Sequence, residues 1–204
     1  MKSYAPLVAA ALFTLTAATS AQADTYYLNQ TNLTADGYAD GVSYIKVDVT
    51  QPTAGEIQFT VTPQDPISNA LLMGFGFNTT GTTITASQIQ GPTGWTAGGS
   101  GRDDGFGVFQ FNLSADHGKD RVAPLTFDIT GLSAGVGPRN FFANSTGATG
   151  EQNVAFVAHV ANLSNSLTGY FGGPAPVPVP AAAWLFASGL VGLVGVARRR
   201  GTSA

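Results

Sequence analysis

The chain of 204 residues holds two histidines, twelve carboxylates and no cysteine. Nucleophilic, acid–base or metal chemistry must therefore be built from these groups and from hydroxyls. His117 lies in the polar loop Ala115-Asp116-His117-Gly118-Lys119-Asp120 and reads as a solvated loop residue. His159 lies inside an apolar run and reads most simply as a core or sheet-face histidine with one hydrogen bond. A Ser/His/Asp triad would need a serine held by its base, and no G-x-S-x-G elbow marks such a nucleophile. Glycoside hydrolysis would need two acids on facing strands. The two glutamates, Glu56 and Glu151, occupy loop or strand-edge positions. The residues favour no enzyme. A polysaccharide-acting hydrolase is the competing reading, and a cleft bringing His117 near a serine and an aspartate would restore it.

Metal and ligand chemistry have slightly more material. Asp36-Gly37-Tyr38-Ala39-Asp40-Gly41 and Asp103-Asp104-Gly105 offer hard oxygen ligands in glycine-containing loops, which Ca²⁺ prefers. Asp-Gly pairs are also ordinary turn formers, and neither segment matches a calcium-loop pattern, so turns are the simpler reading. No metal or other cofactor is called for. Trp95 sits in a Gly-rich loop beside Arg102, Asp103 and Asp104, with Phe106 next along. An exposed Trp there could stack on a sugar ring. Buried, it would plug the end of the fold, and that is the simpler expectation.

The segments that must position these groups have a period of two. Val42 to Thr50 sets Ser43, Ile45, Val47 and Val49 against Tyr44, Lys46 and Asp48. Glu56 to Thr62 sets Ile57, Phe59 and Val61 against polar neighbours. Phe109, Phe111 and Leu113 oppose Gln110 and Asn112. Leu125, Phe127 and Ile129 oppose Thr126 and Asp128. Leu71 to Phe77 and Val154 to Leu163 are more continuously apolar, as strands covered on both faces would be. Turn residues lie between, at 53–55, 63–66, 93–105, 131–138 and 144–150. The expected fold is all-β, an antiparallel β-sandwich of jelly-roll or Greek-key kind, with a β-barrel as the alternative.

The two ends carry addresses. Met1 to Ala23 reads as a secretory signal peptide, with Lys2, an apolar run from Leu7 to Ala18, and Ala21-Gln22-Ala23 before a cut at Asp24. At the other end, Val177-Pro178-Val179-Pro180 leads into Ala181 to Ala197, which is uncharged, and then into Arg198, Arg199 and Arg200. As a helix the uncharged segment would rise roughly 25 Å, at the short end of what crosses a bilayer. The arginines would hold the cytoplasmic side, and the Trp184 indole suits the opposite interface. Between the ends, five basic residues (Lys46, Arg102, Lys119, Arg121, Arg139) stand against all twelve acidic ones, a formal charge of −7. Nothing there would neutralise phosphates, so nucleic acid is not an expected partner.

The tail resembles a PEP-CTERM sorting signal, in which a V-P-x-P motif, a hydrophobic span and an arginine cluster follow one another. It is most similar to the subgroup whose motif runs straight into Ala-Ala-Ala-Trp-Leu-Phe, here Ala181 to Phe186. Val179 stands where the family usually has Glu. The resemblance covers roughly the last 25 residues. It implies recognition by exosortase and cleavage near Val177 to Pro180. A looser similarity to other members of the group rests on Gly74 to Asn78 (GFGFN), Trp95 to Gly101, Pro124 to Phe127 (PLTF) and Phe156 to Val160 (FVAHV). That likeness carries no assigned chemistry.

The expected organisation is a signal peptide (1–23), a β-domain (24–172), a Pro/Gly linker with the sorting motif (173–180), and a membrane span with its arginine stop (181–200). The expected role is that of an exported, non-catalytic cell-surface or matrix protein. It would be handled by signal peptidase and exosortase, pass through the cytoplasmic membrane, and associate with exopolysaccharide or biofilm. A permanently anchored single-span protein is the other reading of the tail.

Overall fold

The computed structural model describes residues 22–173. Ala21, the sorting motif Val177 to Pro180, Trp184, the span and Arg198 to Arg200 lie outside those residues. Within them the chain is all-β. Its strands are β1 (Ala23–Leu28), β2 (Gln30–Thr31), β3 (Ile45–Thr50), β4 (Ile57–Pro63), β5 (Leu71–Phe77), β6 (Ile89–Gln90) and β7 (Trp95–Gly98), followed by β8 (Gly101–Asp103), β9 (Gly107–Phe109), β10 (Phe111–Ala115), β11 (Leu125–Ile129), β12 (Phe156–Ala161) and β13 (Gly169–Gly173). Short 3-10 turns are the other regular elements among the described residues.

Two main antiparallel sheets form. One has the order β1-β3-β4-β11-β6 and the other β2-β13-β12-β5-β10-β7, while β8 and β9 make a separate two-stranded ribbon. Side-chain alternation explains the first sheet. Ile45, Val47 and Val49, then Ile57, Phe59 and Val61, then Leu125, Phe127 and Ile129 are all buried. Lys46, Asp48, Gln58, Thr60, Thr126 and Asp128 take the opposite face. The inward residues meet those of the second sheet in one apolar cluster. Phe59 is the hub. It stacks on Phe127 at 4.7 Å and meets Phe77 at 5.4 Å, Phe141 at 5.7 Å and Phe156 at 6.0 Å.

The expected two-sided burial of β12 is present. Phe156, Ala158 and Val160 join the main cluster, while Val157 enters a second one with Phe106, Phe109 and Val154. The ribbon of β8 and β9 carries that second cluster on the outer face of the six-stranded sheet. Ser145 ties it down. Its Oγ donates to the Phe106 carbonyl and accepts from the Val154 N–H at 3.0 Å.

Three expected boundaries need correcting. Strand β3 begins at Ile45 rather than Val42. Val42 and Ser43 are exposed, and Tyr44 turns inward, where its hydroxyl accepts from the Ala39 N–H and donates to the Ala39 carbonyl. Phe109, Phe111 and Leu113 do not share one strand. The chain breaks at Gln110, whose N–H donates to Asn78 Oδ1 at 2.8 Å, so Phe109 joins the outer cluster while Leu113 enters the main one. The stretch 93–105 is not one long turn, since it contains β7 and β8. At the N-terminus, the expected cut before Asp24 falls within β1, whose first rung pairs Ala23 with Thr50. Such a cut would remove a single paired residue and leave the rest of the strand.

Candidate functional site

The most chemically varied surface is the outer face of the six-stranded sheet. Strand register lines up two rows there. The first runs Tyr170, His159, Gly74, Ser114, Thr96 across β13, β12, β5, β10 and β7. The second runs Gly172, Val157, Gly76, Asn112, Gly98 across the same strands. Each of these residues alternates with one that faces the core, so each faces outward. Gly74 and Gly76 leave the backbone of β5 bare between Phe75 and Phe77, which are buried.

The second row is covered. A Cβ added at Gly172 would lie 2.6 Å from the Phe106 ring, and one at Gly76 would lie 2.9 Å from Asp103 Oδ2. Glycine at both positions is what lets the β8/β9 ribbon lie directly on the sheet. The first row is more open. A Cβ at Gly74 would meet only the His159 Cβ at 3.3 Å and the Leu113 carbonyl at 3.6 Å, and Gly74 is partly exposed.

The polar groups around these rows are electrostatically unusual. Burial pushes the Asp103 carboxyl from 3.8 up to about 6. With its amide nitrogen turned toward Asp103, Asn112 donates to Oδ2 at 2.8 Å and its oxygen accepts from the Gly101 N–H at 3.2 Å. That amide favours the ionised carboxylate and acts against burial. Burial also raises the Tyr170 phenol, with Asp103 and Asp104 adding to the effect. The Tyr170 N–H donates to Asn32 Oδ1 at 2.9 Å, which fixes this end of the row. His159 stacks on Tyr170 with ring centroids 4.0 Å apart and planes 13° from parallel. Burial, and then the Arg121 charge, pull its pKa below the ordinary value, which favours the neutral ring.

Asp103 gives a pH prediction. Its folded pKa lies above its unfolded one, so the folded state binds more protons between 3.8 and about 6. Stability from this group therefore falls as pH rises through that window. Asp103→Asn should flatten the fall, raising the melting temperature at pH 8 by about 3 °C while leaving it nearly unchanged at pH 4. Thermal melts of both proteins at the two pH values check this. Equal wild-type and variant melting temperatures at pH 8 would contradict it.

The groups singled out in the sequence are dispersed. His117 is exposed and starts a 3-10 turn, with its carbonyl accepting from the Asp120 N–H at 3.0 Å. Among the described residues, no serine hydroxyl bonds to either imidazole. The single hydrogen bond expected for His159 is replaced by its stack on Tyr170, because its neighbour on β5 is a glycine with no side chain to offer. Trp95 is buried at 9% exposure, and its Nε1 donates to the Asp120 carbonyl at 2.7 Å. It plugs the fold, and no sugar platform remains there. Glu56 accepts from Thr53 Oγ1, and Glu151 sits in a separate loop beside Asp40, which helps raise its pKa after burial.

The Asp-Gly segments serve as turns. Asp40 Oδ1 accepts from the Thr31 N–H at 3.0 Å, and Gly37 and Gly41 take φ of 91° and 89°. Asp104 accepts from Asn32 Nδ2. Among the described residues, no three His, Cys, Asp or Glu side chains gather in a group able to hold a metal ion. Two surface grooves lie elsewhere. One, of about 270 Å³, is lined by residues including Tyr38, Asn69, Asn162 and Ser164. The other, of about 700 Å³, is lined by residues including Thr82, Thr83, Ser133 and Asn140. Neither lining includes a carboxylate, an imidazole or a cation.

The outer-face row was not singled out from sequence. The visible signal was the alternation Gly74-Phe75-Gly76-Phe77, which leaves one face of a strand bare. Compared with known proteins, the chain matches no family model, no curated protein and no solved structure.

Proposed function

We propose that this chain is an exported, non-catalytic cell-surface or extracellular-matrix protein, with a β-sandwich domain of jelly-roll or Greek-key type. A PEP-CTERM-like tail would deliver it to exosortase. The observation that carries the reading is the order of the C-terminal features. A V-P-x-P motif, seventeen uncharged residues and three arginines follow without interruption. Inserted as a span, that tail would leave the β-domain outside the cytoplasm, because arginines resist transfer through the apolar core.

Two structural facts support the reading. The strands run from Ala23 to Gly173, so they fill the expected β-domain (24–172) and overlap the expected signal peptide and linker by one residue each. The apolar residues of both sheets gather in one shared cluster, as the two layers of a sandwich would require. In this proposal signal peptidase cuts before Asp24, the span pauses in the membrane, and exosortase cuts near Val177 to Pro180. The mature domain then works by contact, with surface polysaccharide as its expected partner. The mass of the exported protein tests the proposal, since a processed form lacks both ends.

A further inference from the structure

The stack of Tyr170 and His159 stops at Gly74. The two rings lie nearly parallel at 4.0 Å on adjacent strands, so the stacking direction runs across the sheet. The second face of His159 is therefore turned toward the space above Gly74. The next side chain in that direction is Ser114, on β10. Strands β12 and β10 flank β5, so they stand about 9.6 Å apart, two strand spacings. A ring stacked on His159 at the usual separation would sit over Gly74 and stop short of Ser114. The floor is backbone, and a Cβ there would meet only the two atoms already named.

The rim of this slot is polar. Ser114 is exposed at one side. Asp103 and Asn112 lie over the neighbouring row, two residues further along the strands, about 7 Å away. Arg121 lies close enough to influence His159. An apolar ring face beside a rim of hydroxyl, carboxylate and amide suits one ligand chemistry best. A pyranose ring presents C–H bonds on its face and hydroxyls at its edge. A purely aromatic ligand would offer nothing to the Ser114 hydroxyl. The charge of −7 on the domain disfavours an acidic polymer.

We propose that the slot over Gly74 binds one pyranose unit of a neutral polysaccharide, with the ring stacked on the free face of His159 and its hydroxyls directed to Ser114, Asp103 and Asn112. The site rests on the reading of this chain as a surface protein in contact with polymer, and it gives that contact a location. A neutral imidazole suits the role, since its ring sheds water at less cost than a cation would.

Affinity electrophoresis of the exported protein tests it, in gels cast with dextran, xylan, galactomannan or alginate. The variants are His159→Ala, which removes the stacking face, His159→Phe, which keeps it, and Gly74→Val, which fills the slot. Wild type should be retarded by at least one of the three neutral polymers. His159→Ala and Gly74→Val should weaken that retardation about tenfold, a loss of roughly 1.4 kcal/mol, and His159→Phe should largely preserve it. Thermal melts run alongside. If Gly74→Val fails to fold, the two His159 variants decide. Equal retardation of wild type and His159→Ala overturns the slot while leaving polymer contact elsewhere on the surface intact. Retardation by alginate alone overturns the neutral ligand. No retardation of wild type by any of the four polymers overturns the site, and the export proposal is then judged separately by the mass of the mature protein.

Discussion

Phe59→Ala should cost about 3–5 kcal/mol of folding stability, a large fraction of the roughly 5–15 kcal/mol that holds a native domain together. Phe59 is fully buried at the centre of β4 and lies against aromatic rings from both sheets. Its partner Phe127 is parallel to it within 4°. Truncation would leave a cavity between layers whose backbones are held by ladder hydrogen bonds, so little collapse can fill it. Urea unfolding of wild type and variant provides the measurement. A loss below about 1 kcal/mol would mean that the two sheets do not share a close-packed interior at Phe59.

Gly107→Ala should be nearly as damaging, by a different route. Gly107 opens β9 at φ 95°, in the left-handed region that disfavours a side chain. A Cβ there would press on the Thr146 carbonyl oxygen and lie 2.8 Å from the Ala148 nitrogen. Both contacts are backbone, so neither can rotate away. Next to it, Val108 and Thr146 exchange hydrogen bonds at 2.8 and 3.2 Å, holding the ribbon to the 144–150 loop. The variant should lose about 2–4 kcal/mol, from backbone strain and from loosened burial of Phe106 and Phe109. Amide exchange distinguishes this from general unfolding. Val108 and Thr146 should lose protection first, while β4 and β11 keep theirs. Unchanged protection at Val108 would show that the ribbon does not depend on Gly107.

The same contrast marks how much could be read from sequence. Strands β4 and β11 were legible because one face is dry and the other wet, so polarity alternates residue by residue. Strands β7 and β8 were hidden. Their residues, Trp-Thr-Ala-Gly and Gly-Arg-Asp, are too short and too rich in glycine to show a period. The break at Gln110 was invisible because Phe109 and Phe111 are both apolar, although they enter different clusters through a kink held by Asn78. Trp95 could be read only as a choice, because burial depends on a partner, the Asp120 carbonyl, that folding brings to it. The outer-face row was least legible of all. Tyr170, His159, Gly74 and Ser114 become neighbours only when β13, β12, β5 and β10 pair, and nothing local to any of them specifies that order. The tail is the opposite case. Its proposed function depends on hydrophobicity, charge and motif in linear order, which sequence displays directly.

Intact-mass analysis of the surface or secreted protein, from cells with active exosortase, tests the central proposal most directly. An uncut span would hold the chain in the membrane almost irreversibly, since each arginine drawn through the core costs about 3 kcal/mol. A cut one frees the acidic β-domain with a short proline-rich end. The predicted species begins at Asp24, ends at or near Val177 to Pro180, and lacks Trp184 and Arg198 to Arg200. A mature form that still carries Trp184 and the three arginines would contradict the proposal. It would show that Val179 in place of the usual Glu has cost the motif its recognition, and that the tail is a permanent anchor.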